Sequence, residues 1–254
     1  KTWYTNTAEE RLLGVSLTGI ADHPTLGDPD SNYLPGSLEM LKAIAIEANE
    51  QYASLLEIPR SSAITCVKPS GTVSQLVNSA SGIHARHAPY YIRRVRGDKK
   101  DPLTQWMVAQ GFPHEEDQYN EQTVVFSFPI KGPEDARQYT AMEHLKLWKI
   151  YQDHWCDHKP SVTISYTDDE FMQCGTWVWE NFNKISGISF LPKSDHVYAQ
   201  APYEEIDLES YARLAAQMPE VDFTDFKEED DKTTSSQELA CVGNVCEVVD
   251  IGEK

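Results

Sequence analysis

The sequence lacks any run of about 18 apolar residues and any N-terminal stretch patterned as a signal peptide. A membrane-spanning helix is not expected, and the chain reads as soluble and cytoplasmic, with no membrane partner. Basic residues are scarce: 22 Lys and Arg stand against 40 Asp and Glu, a formal charge of −18. So acidic a chain does not suit a nucleic-acid polymer, whose phosphate backbone needs basic surface. A small nucleotide stays compatible, because one ligand needs only a local pocket of amides or cations. The 5 cysteines are an odd number without framework spacing, which fits a reducing compartment better than a secreted scaffold. No internal repeat is present. The first residue is Lys1 rather than Met, so a fragment, a processed product or one piece of a split gene is expected.

What is present suffices for one substantial core, since 40% of the 254 residues are hydrophobic. A helix is predicted over 38–56, capped by Ser37, with Leu41, Ile44, Ala45, Ala48, Tyr52 and Leu55 on one stripe. Strands are predicted over 62–67, 91–96, 122–130, 161–166 and 186–191. Between them lie a short helix with Asp101 as cap, Pro102 at its first position and Gly111 as its stop, and a longer one opened by the capping box Thr140-x-x-Glu143. The longer helix carries Met142, Leu145, Trp148, Tyr151 and Trp155 on one face. A second box, Thr167-x-x-Glu170, opens a helix with Phe171, Cys174, Gly175, Val178 and Phe182 as its buried stripe, and Asp207 caps a last one. Strands alternating with helices predict a parallel α/β arrangement. The strands number about five, too few to close a large barrel alone.

The stretch 61–96 concentrates the chemistry. A buried strand meets Pro69-Ser70-Gly71-Thr72-Val73-Ser74, where it cannot continue: Pro69 has no amide proton and Gly71 permits positive φ. Helical spacing resumes at Val73, Leu76 and Val77, so free amides at a helix start would face one spot, which suits an anion such as a phosphate. A plain capped turn is the alternative. His84, Arg86 and His87 follow; they line a nucleotide pocket or satisfy loop carbonyls. Arg86, Arg93, Arg94 and Arg96 form the densest basic cluster, against the alternative of arginines that offset nearby acids.

From Asp222 the chain turns acidic, polar and aperiodic, so a folded part over 1–221 and a flexible tail over 222–254 are expected. The tail carries Cys241 and Cys246 with four residues between them, including Gly243 and Asn244, which let the chain fold back. The pair is either a redox dithiol or two inert tail cysteines. His154, Cys156 and His158 invite a metal reading, but 154 and 158 share a helix face that 156 does not, and no metal site is assigned.

VKPSGTVSQLV followed by SASGIHARHAPYYIRRVR resembles the catalytic subunit of adenosylcobalamin-dependent (class II) ribonucleotide reductases, of the monomeric triphosphate-reducing type. RLLGVSLTGI upstream, HKPSVTISY, ISGISFLP and AQAPYEEI downstream, and ELACVGNVCEV at the end carry the same likeness over nearly the whole chain. The resemblance implies the C-terminal half of that family's ten-stranded α/β barrel. It also implies a ribonucleoside triphosphate substrate, reduced at the 2′ position by thiyl radical chemistry that adenosylcobalamin initiates. Pro69, Ser70, Gly71, Thr72, Val73 and Ser74 would bind the substrate phosphates. Cys241 and Cys246 would re-reduce the active-site disulfide, with thioredoxin as the external reductant. The family's radical cysteine sits in an Asn-x-Cys-x-Glu pattern that this chain lacks, because Asn244-Val-Cys246-Glu247 misplaces the Glu and lies in the tail. Alone, the chain should therefore be inactive, and the missing N-terminal half is an implied partner. The rival reading is a non-catalytic nucleotide-binding or interaction domain with an incidental dithiol tail.

Overall fold

The structure, a computed structural model, describes residues 1–133, 136–193 and 199–227 and the backbone of 240–242 and 245–247. In chain order its elements are α1 (Thr2–Glu10), β1 (Val15–Ser16), α2 (Leu34–Leu55), β2 (Thr65–Cys66), α3 (Val73–Leu76), β3 (Tyr90–Asp98) and α4 (Pro102–Ala109). There follow β4 (His114–Glu116), β5 (Thr123–Lys131), α5 (Ala141–His154), β6 (Val162–Tyr166), α6 (Phe171–Glu180) and β7 (Ile188–Pro192). The last are β8 (Tyr203–Glu205), α7 (Leu208–Ala215), β9 (Ala240–Val242) and β10 (Val245–Glu247). Two compact units result, 1–86 with 135–193, and 87–134 with 194–254. Among the described residues no helix is long and apolar enough to cross a membrane.

The first unit is parallel α/β. β1 pairs with β2, β6 pairs with β7, and Val67 forms a parallel bridge to Pro160. The ladder of β2 is shorter than the expected strand, because Val67 already turns its amide and carbonyl to Lys159 and Ser161. α5 opens with the Thr140–Glu143 capping box and buries Leu145, Leu147, Trp148 and Tyr151 against Leu34 and Leu38 of α2 and Val162 and Ile164 of β6. The polar tips are satisfied: the indoles of Trp148 and Trp155 donate to Pro160 O and Cys66 O, both at 2.8 Å.

Two helices depart from expectation. α2 starts at Leu34, with Pro35 in its first turn, so Ser37 lies inside the helix and caps nothing. It packs through Leu34, Leu38 and part of Leu41, while Ile44, Tyr52 and Leu55 are exposed. α6 buries Cys174 and leans Trp177 on the core, but Phe171 and Phe182 of its expected buried stripe are 58% and 73% exposed. Both helices carry a wider apolar arc than this core covers.

The second unit overturns the parallel expectation. β3 and β5 pair antiparallel over nine residues, from Tyr90↔Lys131 to Asp98↔Thr123, in a sheet ordered β4-β5-β3-β8. Strand–helix alternation carries no direction. Here α4 and β4 return the chain to the end of β3 that it left, where Lys99 N donates to Gln122 O at 2.8 Å. Asp101 caps α4 through the amides of Leu103 and Thr104, and Asp207 caps α7 through Ser210 N, as predicted. The segment expected to begin the tail opens with a 3-10 turn over Phe223–Asp225, and Phe223 and Phe226 pack on Trp106 with ring centroids 5.4 and 5.7 Å away. β9 and β10 form an antiparallel pair with Cys241 opposite Cys246.

Candidate functional site

Because β1 and β2 are parallel neighbours, the loops that follow them leave from the same end. Ligands of open α/β sheets gather at the carboxyl ends of strands. The two loops are stitched together there. Lys68 N donates to Ser16 Oγ at 2.9 Å, and the hydroxyls of Thr18 and Ser70 bond to each other. Gly82 N donates to both hydroxyls, at 3.0 Å to Thr18 and 2.9 Å to Ser70. Gly82 holds φ 56°, and a Cβ there would lie 2.7 Å from Lys68 O, so only glycine closes this loop without displacing the turn.

Within the turn, Ser74 N donates to Ser70 O at 3.0 Å and Gln75 N to Thr72 O at 3.1 Å. Ser74 is fully buried and anchors the turn from below. The amides of Gly71, Thr72 and Val73 meet no acceptor among the described residues. Gly71 does not adopt the positive φ that its residue type allows; instead, nothing lies within 4 Å of where its Cβ would be. Its contribution is space. Three clustered amides, the exposed Thr72 hydroxyl and the exposed Lys68 make a donor face for an anion.

The other sequence candidates have different settings. Arg86 is buried and forks onto Asp22, with Nε to Oδ1 at 3.0 Å and Nη2 to Oδ2 at 2.9 Å, while Nη1 donates to Asn78 Oδ1 at 3.0 Å. Asp22 also accepts Ala80 N at 2.7 Å, so the pair locks the loop that carries Gly82. His84 Nε2 accepts the amide of Thr163 at 3.0 Å, which puts its proton on Nδ1, 3.1 Å from Ser81 O. Burial holds its pKa below the ordinary value, and the Ser81 bond opposes that shift. The neighbouring His144, edge-on to His84 at 5.6 Å, is pushed down to about 3 by burial, with the His84 charge adding to the effect. His87 belongs to the second unit, where it stacks on Tyr203 with centroids 5.6 Å apart.

In the second unit the arginines of β3 are all engaged. Arg94 pairs with Glu204, Arg96 with Asp117 at 2.7 Å, and Arg93 lies over the Tyr203 ring at 4.5 Å. His154 bonds Glu39, His158 bonds Leu13 O, and Cys156 is buried with its thiol pushed up to about 12 by desolvation. Among the described residues no group of His, Cys, Asp and Glu converges on a metal position. The side chains of Cys241 and Cys246 lie outside the described residues; their backbones face each other across a ladder.

Sequence reasoning missed Ser16, Thr18, Asp22, Lys68 and Gly82 as parts of this site. Lys68 was findable, since it directly precedes Pro69. Thr18 was not, because nothing local ties it to a turn 52 residues away.

No protein-family model matches the chain. It is 34% identical over 222 residues to a Dictyostelium discoideum protein named probable adenosylcobalamin-dependent ribonucleoside-triphosphate reductase, with 84% of this chain and 29% of that protein aligned. To the adenosylcobalamin-dependent ribonucleoside-triphosphate reductase of Lactobacillus leichmannii it is 29% identical over 240 residues, covering 83% of this chain and 32% of that one. In structure it resembles a B12-dependent (class II) ribonucleotide reductase crystal structure, with a TM-score of 0.74 and 26% identity over 86% of this chain and 35% of the other. The chain thus spans about a third of the length of the curated relatives it matches. In sequence over most of its length, and in fold, the chain is homologous to part of the adenosylcobalamin-dependent ribonucleoside-triphosphate reductases.

Proposed function

We propose that the chain is the C-terminal half of a reductase barrel of ten strands and serves the reduction of ribonucleoside triphosphates to 2′-deoxyribonucleoside triphosphates. The observation that carries this reading is the set of open amides at Gly71, Thr72 and Val73 beside Lys68, at the shared end of two parallel strands. In it, Pro69 fixes the turn, Ser70 and Ser74 hold it, Gly71 leaves room, and Thr72 and Val73 donate to phosphate oxygens. Exposed apolar side chains at Ile44, Tyr52, Leu55, Trp179 and Phe182 support a longer polypeptide that covers them.

In the complete reaction the 2′-hydroxyl leaves as water and hydrogen replaces it, while two active-site thiols become a disulfide. Cys241 and Cys246 restore those thiols: one thiolate attacks the disulfide, the second closes a tail disulfide, and thioredoxin reduces that in turn. Directly opposed antiparallel residues lie within the Cα separation that a disulfide spans, which supports this pairing. Adenosylcobalamin, when bound, supplies the homolysable bond that starts the radical chemistry. Open grooves of about 310 and 380 Å³ run along α6. No residue here is assigned to the cofactor.

The test uses the full-length polypeptide that carries this chain. Gly71→Val fills the open space over the amides and should weaken ribonucleoside triphosphate binding by about 1–3 kcal/mol, with the fold retained. Unchanged affinity, measured by calorimetry, would overturn the phosphate assignment. A Cys241→Ser, Cys246→Ser double variant should complete about one turnover and then stall with thioredoxin, because the attacking thiolate is gone. Sustained turnover with thioredoxin alone would make the pair a bystander.

A further inference from the structure

The hydroxyls of Thr18 and Ser70 leave a proton count that gives them different tasks. Thr18 Oγ1 lies 3.1 Å from Ala80 O, a group that only accepts, so the Thr18 proton goes there. The Gly82 amide, which only donates, supplies hydrogen to both hydroxyl oxygens. The contact between the two hydroxyls must then be made by the Ser70 proton. Ser70 has no proton left for a ligand.

We infer that Thr18 is a positioning residue of the phosphate turn: by accepting the Ser70 proton it fixes Ser70 and aims the amides of Gly71, Thr72 and Val73 at the phosphates of a nucleotide. The inference rests on the phosphate reading of that turn. Thr18 is an exposed residue whose hydroxyl joins the 78–86 loop, at Ala80 O and Gly82 N, to the turn, at Ser70, while the Asp22–Arg86 pair ties the same loop independently. Its hydroxyl is therefore the link through which that loop fixes the turn. The same count divides the turn residues: Ser70 and Ser74 build the site, while Thr72 and the three amides meet the ligand.

The experiment compares Thr18→Val and Thr18→Ser in the full-length polypeptide, with Gly71→Val as the control for the turn. Affinities for a ribonucleoside triphosphate and for the matching nucleoside are measured together. Thr18→Val should weaken triphosphate binding about tenfold and leave nucleoside binding within about twofold, while Thr18→Ser should restore the triphosphate affinity. Wild-type triphosphate affinity in Thr18→Val, with Gly71→Val impaired, would overturn this inference and leave the phosphate reading standing. Equal losses for nucleoside and triphosphate, no recovery in Thr18→Ser, or a Thr18→Val protein that does not fold would each reduce Thr18 to a structural residue. Wild-type affinity in Gly71→Val would instead sink the phosphate reading, and this inference with it.

Discussion

In the first unit β1 and β2 run parallel and end together, and the loops beyond them leave the amides of Gly71, Thr72 and Val73 without acceptors among the described residues. In the second, β3 and β5 run antiparallel for nine residues, and Arg93, Arg94 and Arg96 each reach a carbonyl, acid or ring of the same unit. The contrast separates two uses of polar residues. Along an antiparallel sheet, neighbours arrive in pairs and neutralise one another. Past the ends of parallel strands, backbone groups leave their ladder, and those of Gly71, Thr72 and Val73 meet no replacement among the described residues. A basic cluster in sequence therefore pointed at a unit in which those arginines are already engaged. Arg86 looks like a member of that cluster but holds a loop of the first unit closed through Asp22 and Asn78.

The sharpest way to break this comparison is to remove one arginine from each unit. Arg86→Met strands Asp22 in a mostly buried position and should cost about 3–5 kcal/mol, together with nucleotide affinity, because the Gly82 loop opens. Arg96→Met should cost less, about 1–3 kcal/mol. Asp117 still accepts the amides of Tyr119 and Asn120 when Arg96 is removed, so its carboxylate is not left without donors. Denaturant melts with parallel binding titrations decide the matter. Loss of nucleotide binding in Arg96→Met would mean that the second unit also serves the ligand.

A smaller effect follows from the histidines. The fold holds His84 and His144 neutral, with pKa values below 6.5, that of His144 about 3. The unfolded chain binds protons that the folded one refuses, so stability is full above pH 6.5 and falls progressively as pH drops toward 3. His144 contributes up to about 1.4 kcal/mol per pH unit in that window. His144→Gln should flatten the decline between about pH 6 and 4 by close to one proton, since the amide can still donate to Ile83 O. An unchanged slope would show that acid attacks the first unit elsewhere.

Local chemistry was legible where it was sufficient. The capping box at Thr140 and Glu143, the Asp101 cap before Pro102 and the Asp207 cap all rest on atoms within three residues of each other. Apolar spacing located α2 and α6 but not which part of each apolar arc faces the core. Leu34 and Leu38 are buried while Tyr52 is not, because that choice belongs to α5 and the strands beneath it. Strand direction was illegible for the same reason: an intervening helix permits a return from either end.

By itself the sequence determined the family likeness, the acidic charge, the caps at Asp101, Thr140 and Asp207, and the residue types of the 69–74 turn. It also set the close spacing of Cys241 and Cys246, which a short hairpin pairs locally. Only the tertiary structure decided what that turn can do. Thr18 reaches Ser70 across 52 residues and Arg86 reaches Asp22 across 64, and those contacts determine which hydroxyls and guanidinium groups are already engaged. A donor is open to a ligand only when nothing else in the fold accepts its proton, and the acceptors here are brought by parallel pairing of distant strands rather than by neighbours in the chain.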